Sequence, residues 1–395
     1  MEAYVGIDIG RNFHAYSIVS PEGQSIASRR FLSDGESFQD FHEVLQGLDV
    51  VLIGMEATGH YWRNLFHLLR RHGYTCCVLN PVVTQYYRRM SLIRHKTDAL
   101  DAECIARYLA ANRPEGQELD PQAQEQLRVL ARLQATVAEQ ITSTINRLHQ
   151  LMDQSFPELT HHVPQLRSAK ALSLLKRYPT ATRITRARRL ADLRYGQRGH
   201  HLGQEQAVRL KAATATTAGH AQSAADELMI RQVVEQILLL QKQEKELLTT
   251  MEELAQTVDS GLNHLLTIPG ISIKSAAAII GEVGNIEQFP TAKHLIGYVG
   301  CHPRFNSSGT KEGQAFMSKA GNKRLRRILW QCTIVANRHN PLVRAHYEAK
   351  LAEGKRKMVA IGHCMAKLVR IIWAIQTYNE PFDATGGTRL AAVRS

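Results

Sequence analysis

The sequence predicts an α/β N-terminal domain, a middle region of long helices and a mainly helical C-terminal domain. At the start, short apolar runs alternate with segments of helical periodicity, which is typical of an α/β fold. In the middle, apolar residues recur at helical spacing over long stretches. After them, a proline-glycine turn opens a series of shorter helical segments. We place the domains at 1–115, 116–260 and 261–384, followed by a tail at 385–395.

Composition and charge limit the classes of protein to be considered. The 395 residues are 44% hydrophobic and 22% charged, so the chain can bury a core in two or three domains. The formal net charge of +13 favours a polyanionic partner, most simply nucleic acid. The sequence has no continuous run of about 18 apolar residues and no signal-peptide layout, so we expect a cytoplasmic protein without a membrane span.

The six cysteines show no CxxC pair and no Cys/His ligand spacing. Such a pattern predicts reduced, mostly buried thiols. No zinc site is therefore expected.

The N-terminal domain is predicted to begin with three antiparallel strands, because apolar runs are separated there by short turn segments. We expect these strands at 5–10, 14–19 and 25–31. Helix and strand then alternate, with predicted elements at 37–45, 50–55, 61–72 and 74–79.

Two aspartates, Asp98 and Asp101, lie in the segment Lys-Thr-Asp-Ala-Leu-Asp-Ala-Glu at 96–103, the polar start of a predicted helix. Their spacing places both carboxylates on one helix face, where they repel each other unless a cation lies between them. Carboxylate oxygens suit Mg²⁺ or Mn²⁺. The alternative is a first turn enriched in acids because the helix dipole favours them there.

Two further acids belong to predicted buried strands. Asp8 lies within an apolar strand, where a lone carboxylate is costly unless it is paired or bound to a metal. Glu56 ends the next buried strand, at the sheet edge where open α/β folds bind ligands. The alternatives are a strand-end Asp that bonds a turn and a Glu that leads into a helix. Together, the four acids predict a two-metal phosphodiester site.

The motifs around these acids resemble those of a known family. Asp8 in GIDIG, Glu56 in GMEATGHYW, and Asp98 and Asp101 in KTDALDAE resemble the D-E-D-D set of the IS110-family transposases, in particular IS1111-like members. The N-terminal domain of that family is similar to the Holliday-junction resolvase RuvC, which has an RNase H-like fold. The resemblance implies that the four carboxylates hold Mg²⁺ or Mn²⁺ and act in DNA strand cleavage.

Two long helices are predicted in the middle region, at 121–152 and 227–254. Their apolar stripes favour a paired coil, formed either within one chain or between subunits.

A basic insert at about 157–226 separates these helices. Its central part, 168–212, contains eleven lysines and arginines but only two acids. That imbalance indicates contact with phosphate, and we single out Arg186, Arg188 and Arg189 for it. The alternative is a solvated charged face, because no ladder of aromatic residues accompanies the cations for base stacking.

The C-terminal domain is predicted to begin near Ile268 with IPGISIKSAAAIIGEVG. This run resembles a helix-hairpin-helix turn that offers backbone N–H groups to a phosphate, and the alternative is a plain connection between two helices. A polar loop at 301–310 follows, and a basic helix begins after it. Residues of this segment are candidates for contact with a nucleic-acid backbone: Lys319, Asn322, Lys323, Arg324 and Arg327.

The motifs IPGI, FPTAKHLIGYVG, SSG and MSKAGNKRLRR resemble the C-terminal transposase domain of the same family. In the family the serine of the Ser-Gly pair is the nucleophile, and Ser308 matches that position. The residues alone do not distinguish Ser308 from Ser307 or Ser318, because a Ser-Gly in a polar loop is usually a turn.

The resemblance implies a transposase or site-specific recombinase of a bacterial insertion sequence. It would cut and rejoin donor and target duplex DNA through a phosphoserine-DNA link. It further implies a structured guide RNA, a bridge RNA, and assembly as a homodimer or homotetramer. Two alternatives remain: a RuvC-like metal-dependent nuclease that resolves branched DNA, and a non-catalytic basic nucleic-acid scaffold.

Overall fold

The chain folds into two compact units, Met1–Leu119 and Asp120–Ser395. This computed structural model describes residues 1–57, 61–90, 97–116, 122–220, 222–258, 261–304 and 316–384. The first unit combines a mixed sheet with helices, and the second is mostly helical. This agrees with the α/β class predicted for the N-terminal domain. The predicted middle region and C-terminal domain both fall in the second unit, apart from the first few residues of the former.

Five strands form the sheet of the first unit, in the order β3-β2-β1-β4-β5. They are β1 Glu2–Ile9, β2 Phe13–Val19, β3 Ser25–Leu32, β4 Asp49–Glu56 and β5 Cys76–Leu79. The first three strands pair antiparallel, as predicted, whereas β4 runs parallel to β1 and to β5. The parallel pairs bring the carboxyl ends of these three strands to one edge of the sheet.

Four helices accompany this sheet: α1 Gly35–Gln46, α2 Trp62–Arg71, α3 Pro81–Met90 and α4 Asp98–Asn112. Aromatic and aliphatic side chains of α1 and α2 pack on one face, and α4 packs on the other. The helix α3 is absent from the elements that we predicted from the sequence, although Pro81 stands at its first position, where proline is favoured.

The sheet and α4 meet at two glycines. A Cβ atom at Gly6 would lie 2.2 Å from the backbone oxygen of Ala102 and 2.3 Å from the backbone nitrogen of Ala106. At Gly54 it would lie 2.8 Å from the Cδ1 atom of Leu109. Only a residue without a side chain at Gly6 allows the α4 backbone to approach β1 this closely, whereas at Gly54 the contact is with a leucine side chain.

The second unit begins with two long helices that enclose a smaller folded segment. Its first elements are α5 Gln122–Ser155, α6 Leu159–His162, α7 Ala169–Arg177, α8 Ala181–Arg186, β6 Arg194–Tyr195, β7 His200–His201, α9 Gln204–Ala215 and α10 Ala224–Val258. Residues early in α5 pack with residues late in α10, and Met152 near the end of α5 packs in the same core as Ile230. The two long helices therefore pair antiparallel within one chain.

The basic insert is a folded segment with its own core. Leucines and an isoleucine of α7, α8 and α9 pack with the adjoining ends of α5 and α10. Leu172, Leu175, Ile184 and Leu210 are each at most 1% exposed. The cations of the insert therefore project from an ordered framework.

The second unit ends with a helical domain. Its elements are α11 Leu262–Leu266, α12 Ile273–Val283, α13 Ala292–Val299, β8 Pro303–Arg304, β9 Phe316–Met317, α14 Lys323–His339, α15 Pro341–Ala352 and α16 Lys357–Tyr378. Gly270, between α11 and α12, has a φ of 107° and lies against the backbone of Ala336. A helix-turn-helix thus stands where the hairpin turn was predicted, and its contact with phosphate stays a prediction.

By length and composition, α16 is apolar enough to cross a membrane, the one such helix in the described part of the chain. Half of the most apolar 18-residue stretch of this helix is buried. Its residues Cys364, Leu368 and Ile372 pack in the core of the second unit. Buried core helices commonly have this composition, so the finding is only a weak indication of a membrane span.

We expect Gly6→Ala to lower the free energy of unfolding by at least about 1–3 kcal/mol, because the new methyl group would meet backbone atoms of α4 that cannot move separately. Gly35→Ala is the matched control, since no atom lies within 4 Å of its Cβ position. Urea unfolding of both variants measures the difference. Equal midpoints for the two variants would contradict the close packing of α4 on β1.

Candidate active site

The register of the sheet places Asp8 and Glu56 next to each other. In the parallel pair of β1 and β4, Ile7 lies opposite Met55, and Asp8 and Glu56 are the next residues along. Side chains two positions apart on a strand share a face, so both acids lie on the face of Gly6 and Gly54, the face that α4 covers. Both are partly buried.

The other two acids lie in the first turn of α4. This helix begins there because the Thr97 side chain accepts a hydrogen bond from the Leu100 backbone N–H, at 3.2 Å. Asp101 directly precedes Ala102, whose carbonyl oxygen lies over Gly6. The four predicted acids are therefore brought to the same region of the first unit.

Arg30 is linked to this region by sheet register and by an ion pair. Asp8 lies opposite Ala15 of β2, and Ala15 lies opposite Arg30 of β3. The Nη2 atom of Arg30 is 3.2 Å from the Oδ2 atom of Asp98. Because these side chains are 58% and 45% exposed, the pair contributes at most about 1 kcal/mol to stability.

A second arginine, Arg88 of α3, pairs with Asp101. Its Nη1 atom is 2.9 Å from Oδ1 of Asp101, and the two side chains are only 21% and 19% exposed. The Thr84 hydroxyl, one turn earlier on α3, is placed to donate to Oε2 of Glu56 at 3.1 Å. The helix that we did not predict thus supplies partners to two of the four carboxylates. The Asn-Pro pair at 80–81 was the sequence signal for its start.

A cavity of about 310 Å³ joins these groups, with Glu56, Thr84, Arg88, Asp101 and Cys104 among its lining residues. Burial and the negative charge of Asp101 raise the pKa of the Cys104 thiol to about 11. Near neutral pH this thiol is therefore protonated and a poor nucleophile.

The predicted nucleophile, Ser308, lies at 305–315, outside the described residues. On either side of that segment, β8 and β9 pair antiparallel, with Pro303 opposite Met317 and Arg304 opposite Phe316.

Two of the residues around α14 that we predicted to contact nucleic acid have partners within the protein. Asn322 caps the helix, because its Oδ1 atom accepts hydrogen bonds from the backbone N–H groups of Arg324 and Leu325. Arg327 forms an ion pair with Glu139 of α5. Lys319, Lys323 and Arg324 are exposed.

A buried ion pair that the sequence did not indicate supports this end of the second unit. Glu282 of α12 is 2% exposed and accepts two hydrogen bonds from Arg132 of α5, at 2.7 and 2.9 Å. Asn322 donates a third, at 2.8 Å. Burial alone would raise the pKa of Glu282, but these hydrogen bonds and the charges of Arg132 and Arg128 outweigh it and lower the pKa.

Comparison with known proteins places this architecture in a family. Residues 5–157, which contain all four acids, match the DEDD transposase model of IS110, described as a transposase. Residues 262–348, which contain Ser308, match the model of the transposase IS116/IS110/IS902 family. The chain belongs to the IS110 family of transposases. Both matches together leave out 158–261, which holds most of the basic insert.

Relatives of this IS110-family protein match it over nearly its whole length. An IS110 insertion-element protein of Streptomyces coelicolor is 23% identical over 98% of each chain. A pilin gene-inverting protein of Moraxella bovis is 25% identical over 97% of this chain and 98% of the relative. The transposase of IS1328 from Yersinia enterocolitica is 23% identical over 96% and 98%. As a member of this family, the protein is an enzyme that acts on DNA.

Membership of a DEDD transposase family implies dependence on a divalent metal. The donor chemistry fits, because Asp8, Glu56, Asp98 and Asp101 supply hard carboxylate oxygens to one region. Within the described residues, no three acidic, histidine or cysteine side chains are already arranged as a ligand group. Arg30 and Arg88 instead balance the charge of two of the acids.

We expect Glu282→Gln to lower the free energy of unfolding at neutral pH. Breaking a buried ion pair typically costs about 3–5 kcal/mol. We expect a value near the lower end of that range, because Arg132 is 36% exposed. The folded-state pKa of Glu282 is lowered, so its stabilisation is complete above the unfolded pKa of about 4.3 and is lost as pH falls through the folded pKa. The difference from wild type should therefore shrink in acid.

Thermal unfolding between pH 2 and 7 measures this dependence, because the stabilisation is complete at neutral pH and is lost only below about pH 4.3. Glu246→Gln is the control, because its pair with Lys242 spans 3.8 Å and is mostly exposed. A pH-independent loss of stability would assign the Glu282 effect to packing instead.

Proposed function

We propose that the protein is a DNA transposase or site-specific recombinase of an insertion sequence that cuts and rejoins donor and target DNA through a phosphoserine-DNA intermediate. The observation that carries the proposal is the arrangement of Asp8 and Glu56 at adjacent strand ends, beside Asp98 and Asp101 in the first turn of α4. Four carboxylates so arranged suit a phosphodiester site that uses divalent cations.

In the proposed reaction, the Ser308 hydroxyl attacks the phosphorus of a scissile phosphodiester. A bond forms between the serine oxygen and phosphorus, and the bond from phosphorus to the 3′ oxygen breaks. The serine proton passes to a nearby carboxylate or water, and the departing 3′ oxygen takes up a proton from water to become a free 3′-OH. In rejoining, the 3′-OH of another strand attacks the phosphoserine and releases the serine.

The four carboxylates, Asp8, Glu56, Asp98 and Asp101, would hold Mg²⁺ or Mn²⁺. When bound, these cations supply charge stabilisation for the attacking and leaving oxygens. Arg88 and Arg30 would keep the acids from repelling one another before the cations bind.

We propose duplex DNA as the substrate and a structured guide RNA as the partner that selects the target. The net charge of +13 suits both polyanions. A guide RNA would be recognised through its shape and backbone, and base pairing would select the DNA. The carboxylates and Ser308 belong to different compact units, which is compatible with a homodimer or homotetramer that shares its active sites.

A RuvC-like nuclease that resolves branched DNA is the second candidate function. All four carboxylates lie within the first unit, and hydrolysis by activated water would need no serine. Detection of a covalent link between protein and DNA separates the two candidates.

We expect Arg88→Gln to tighten binding of Mn²⁺ by about fivefold or more, because the metal ion no longer competes with a partly buried ion pair worth about 1 kcal/mol or more. Titration of the DNA-free protein by electron paramagnetic resonance measures this affinity without reference to activity. Arg107→Gln is the matched control, since Arg107 pairs with Glu103 on the outer side of α4. Unchanged or weaker binding in Arg88→Gln would contradict competition at Asp101.

We expect Ser308→Ala to bind DNA but to form no covalent adduct, because the change removes the nucleophile and no charge. Ser307→Ala and Ser318→Ala are the matched controls and should form the adduct. Denaturing gels of labelled DNA incubated with each protein and Mg²⁺ give the measurement. Robust adduct formation by Ser308→Ala would remove this serine from the mechanism, and cleavage without any adduct would favour the nuclease.

The same assay tests the carboxylates and the sharing of sites. Asp98→Asn should abolish cleavage, and cleavage near the wild-type rate would contradict the four-carboxylate assignment.

A mixture of Asp8→Asn and Ser308→Ala proteins should regain activity if one subunit's acids act with another subunit's serine. A mixture that stays inactive would place the whole site within one chain.

A further inference from the structure

The basic insert contains a cavity that neither family match includes. It has a volume of about 610 Å³ and lies between the end of α7 and the segment from α8 to β6. Four of its lining residues are cationic and one is acidic. The lining residues are Ser173, Lys176, Arg177, Arg189, Asp192, Leu193 and Arg194.

The charge of this basic cavity is unbalanced. Its one acid, Asp192, accepts a hydrogen bond from Nε of Arg189 at 2.7 Å, and that interaction lowers the pKa of Asp192. Across the described part of the chain, Lys176, Arg177 and Arg194 form no ion pair with a carboxylate. The cavity therefore keeps three positive charges that the protein itself does not neutralise.

Other arginines of the insert form ion pairs with acidic side chains. Arg183 pairs with Glu227 at 2.8 Å, and Arg209 pairs with Glu205 at 2.6 Å. A merely solvated charged face would be expected to mix the two signs throughout, as these pairs do. The concentration of unneutralised cations at the cavity thus calls for a specific partner.

The cations are carried by ordered elements. Lys176 and Arg177 follow the fully buried Leu174 and Leu175 of α7, and Arg194 follows Leu193, which is 3% exposed. A position in the last turn of α7 suits Lys176 and Arg177 through the helix dipole. That effect does not account for Arg189 and Arg194, which come from other segments and line the same cavity.

The chemistry of the lining favours phosphate groups. Guanidinium groups bind phosphate through paired hydrogen bonds, and a lysine adds a compact charge. No aromatic side chain belongs to the lining, so stacking on bases is not provided. Interactions of this kind fix a nucleic acid by its backbone and do not distinguish its sequence.

We propose that this basic cavity binds the phosphodiester backbone of the duplex DNA on which the enzyme acts. The proposal rests on the proposed function for the identity of the duplex as substrate. It also refines the sequence prediction for the insert. Only Arg189 of the predicted trio lines the cavity, whereas Arg186 lines a different one, of about 380 Å³, together with Thr185 and Thr214.

The test uses the full-length protein in buffer with EDTA, so that binding is measured without cleavage. Fluorescence anisotropy with two DNA duplexes of unrelated sequence and with one structured RNA gives the affinities over a range of salt concentrations. For the double variant Arg177→Gln and Arg194→Gln, we expect weaker binding to both duplexes alike. The slope of log affinity against log salt should become shallower by about 0.9 for each phosphate that the variant no longer neutralises.

Arg209→Gln is the matched control, because Arg209 is an exposed arginine of the same insert that already has an acidic partner. It should leave affinity and slope close to wild type. Circular dichroism melting of each variant shows that a loss of binding does not reflect unfolding of the insert.

Three results would overturn the proposal. They are an unchanged affinity and slope in the double variant, an equal loss in Arg209→Gln, and a loss of binding to a structured RNA with no change for duplex DNA. None of these readouts requires Ser308 or the carboxylates to act. Failure of the cavity proposal is therefore distinguishable from failure of the cleavage mechanism, which the covalent adduct reports.

Discussion

The close packing of β1 and α4 is the constraint on which the first unit depends. Gly6 allows the helix backbone to lie directly on the strand, where any side chain would meet Ala102 or Ala106. This approach fixes the first turn of α4 beside the strand ends of β1 and β4. Carboxylates from three elements can then share one region although Asp8 and Asp101 lie far apart in sequence. The position of these carboxylates thus depends on a glycine at position 6.

Charge balance is the second requirement of this region. Four acids in one region repel each other, and the structure offsets part of this repulsion with Arg30 and Arg88. The two pairs differ in burial, so they differ in how strongly solvent screens them. In the proposed metal site, a divalent cation that binds Asp101 would therefore have to displace the partly buried Arg88 pair, whereas the exposed Arg30 pair would yield more easily.

The second unit uses its long helices as a frame. The antiparallel pair of α5 and α10 carries the insert at one end and the helical domain at the other. Arg132 of α5 reaches Glu282 of α12, and Asn322 joins the same carboxylate while it caps α14. One buried anion thereby connects the frame to the segment that follows Ser308. Its lowered pKa keeps it charged at neutral pH, so these connections persist.

Local sequence determined the α/β class of the first unit, the long helices and the positions of the four acids, because periodicity and turn residues report which face a side chain takes. Helix α3 escaped prediction, although Pro81 stands at its first position. Only the tertiary structure decided which charges meet: Arg30 and Asp98 are 68 positions apart, and Arg132 and Glu282 are 150 apart. It also placed Arg186 and Arg189, near neighbours in sequence, in the linings of two different cavities. Such pairings depend on how elements cross, which spacing along one chain does not encode.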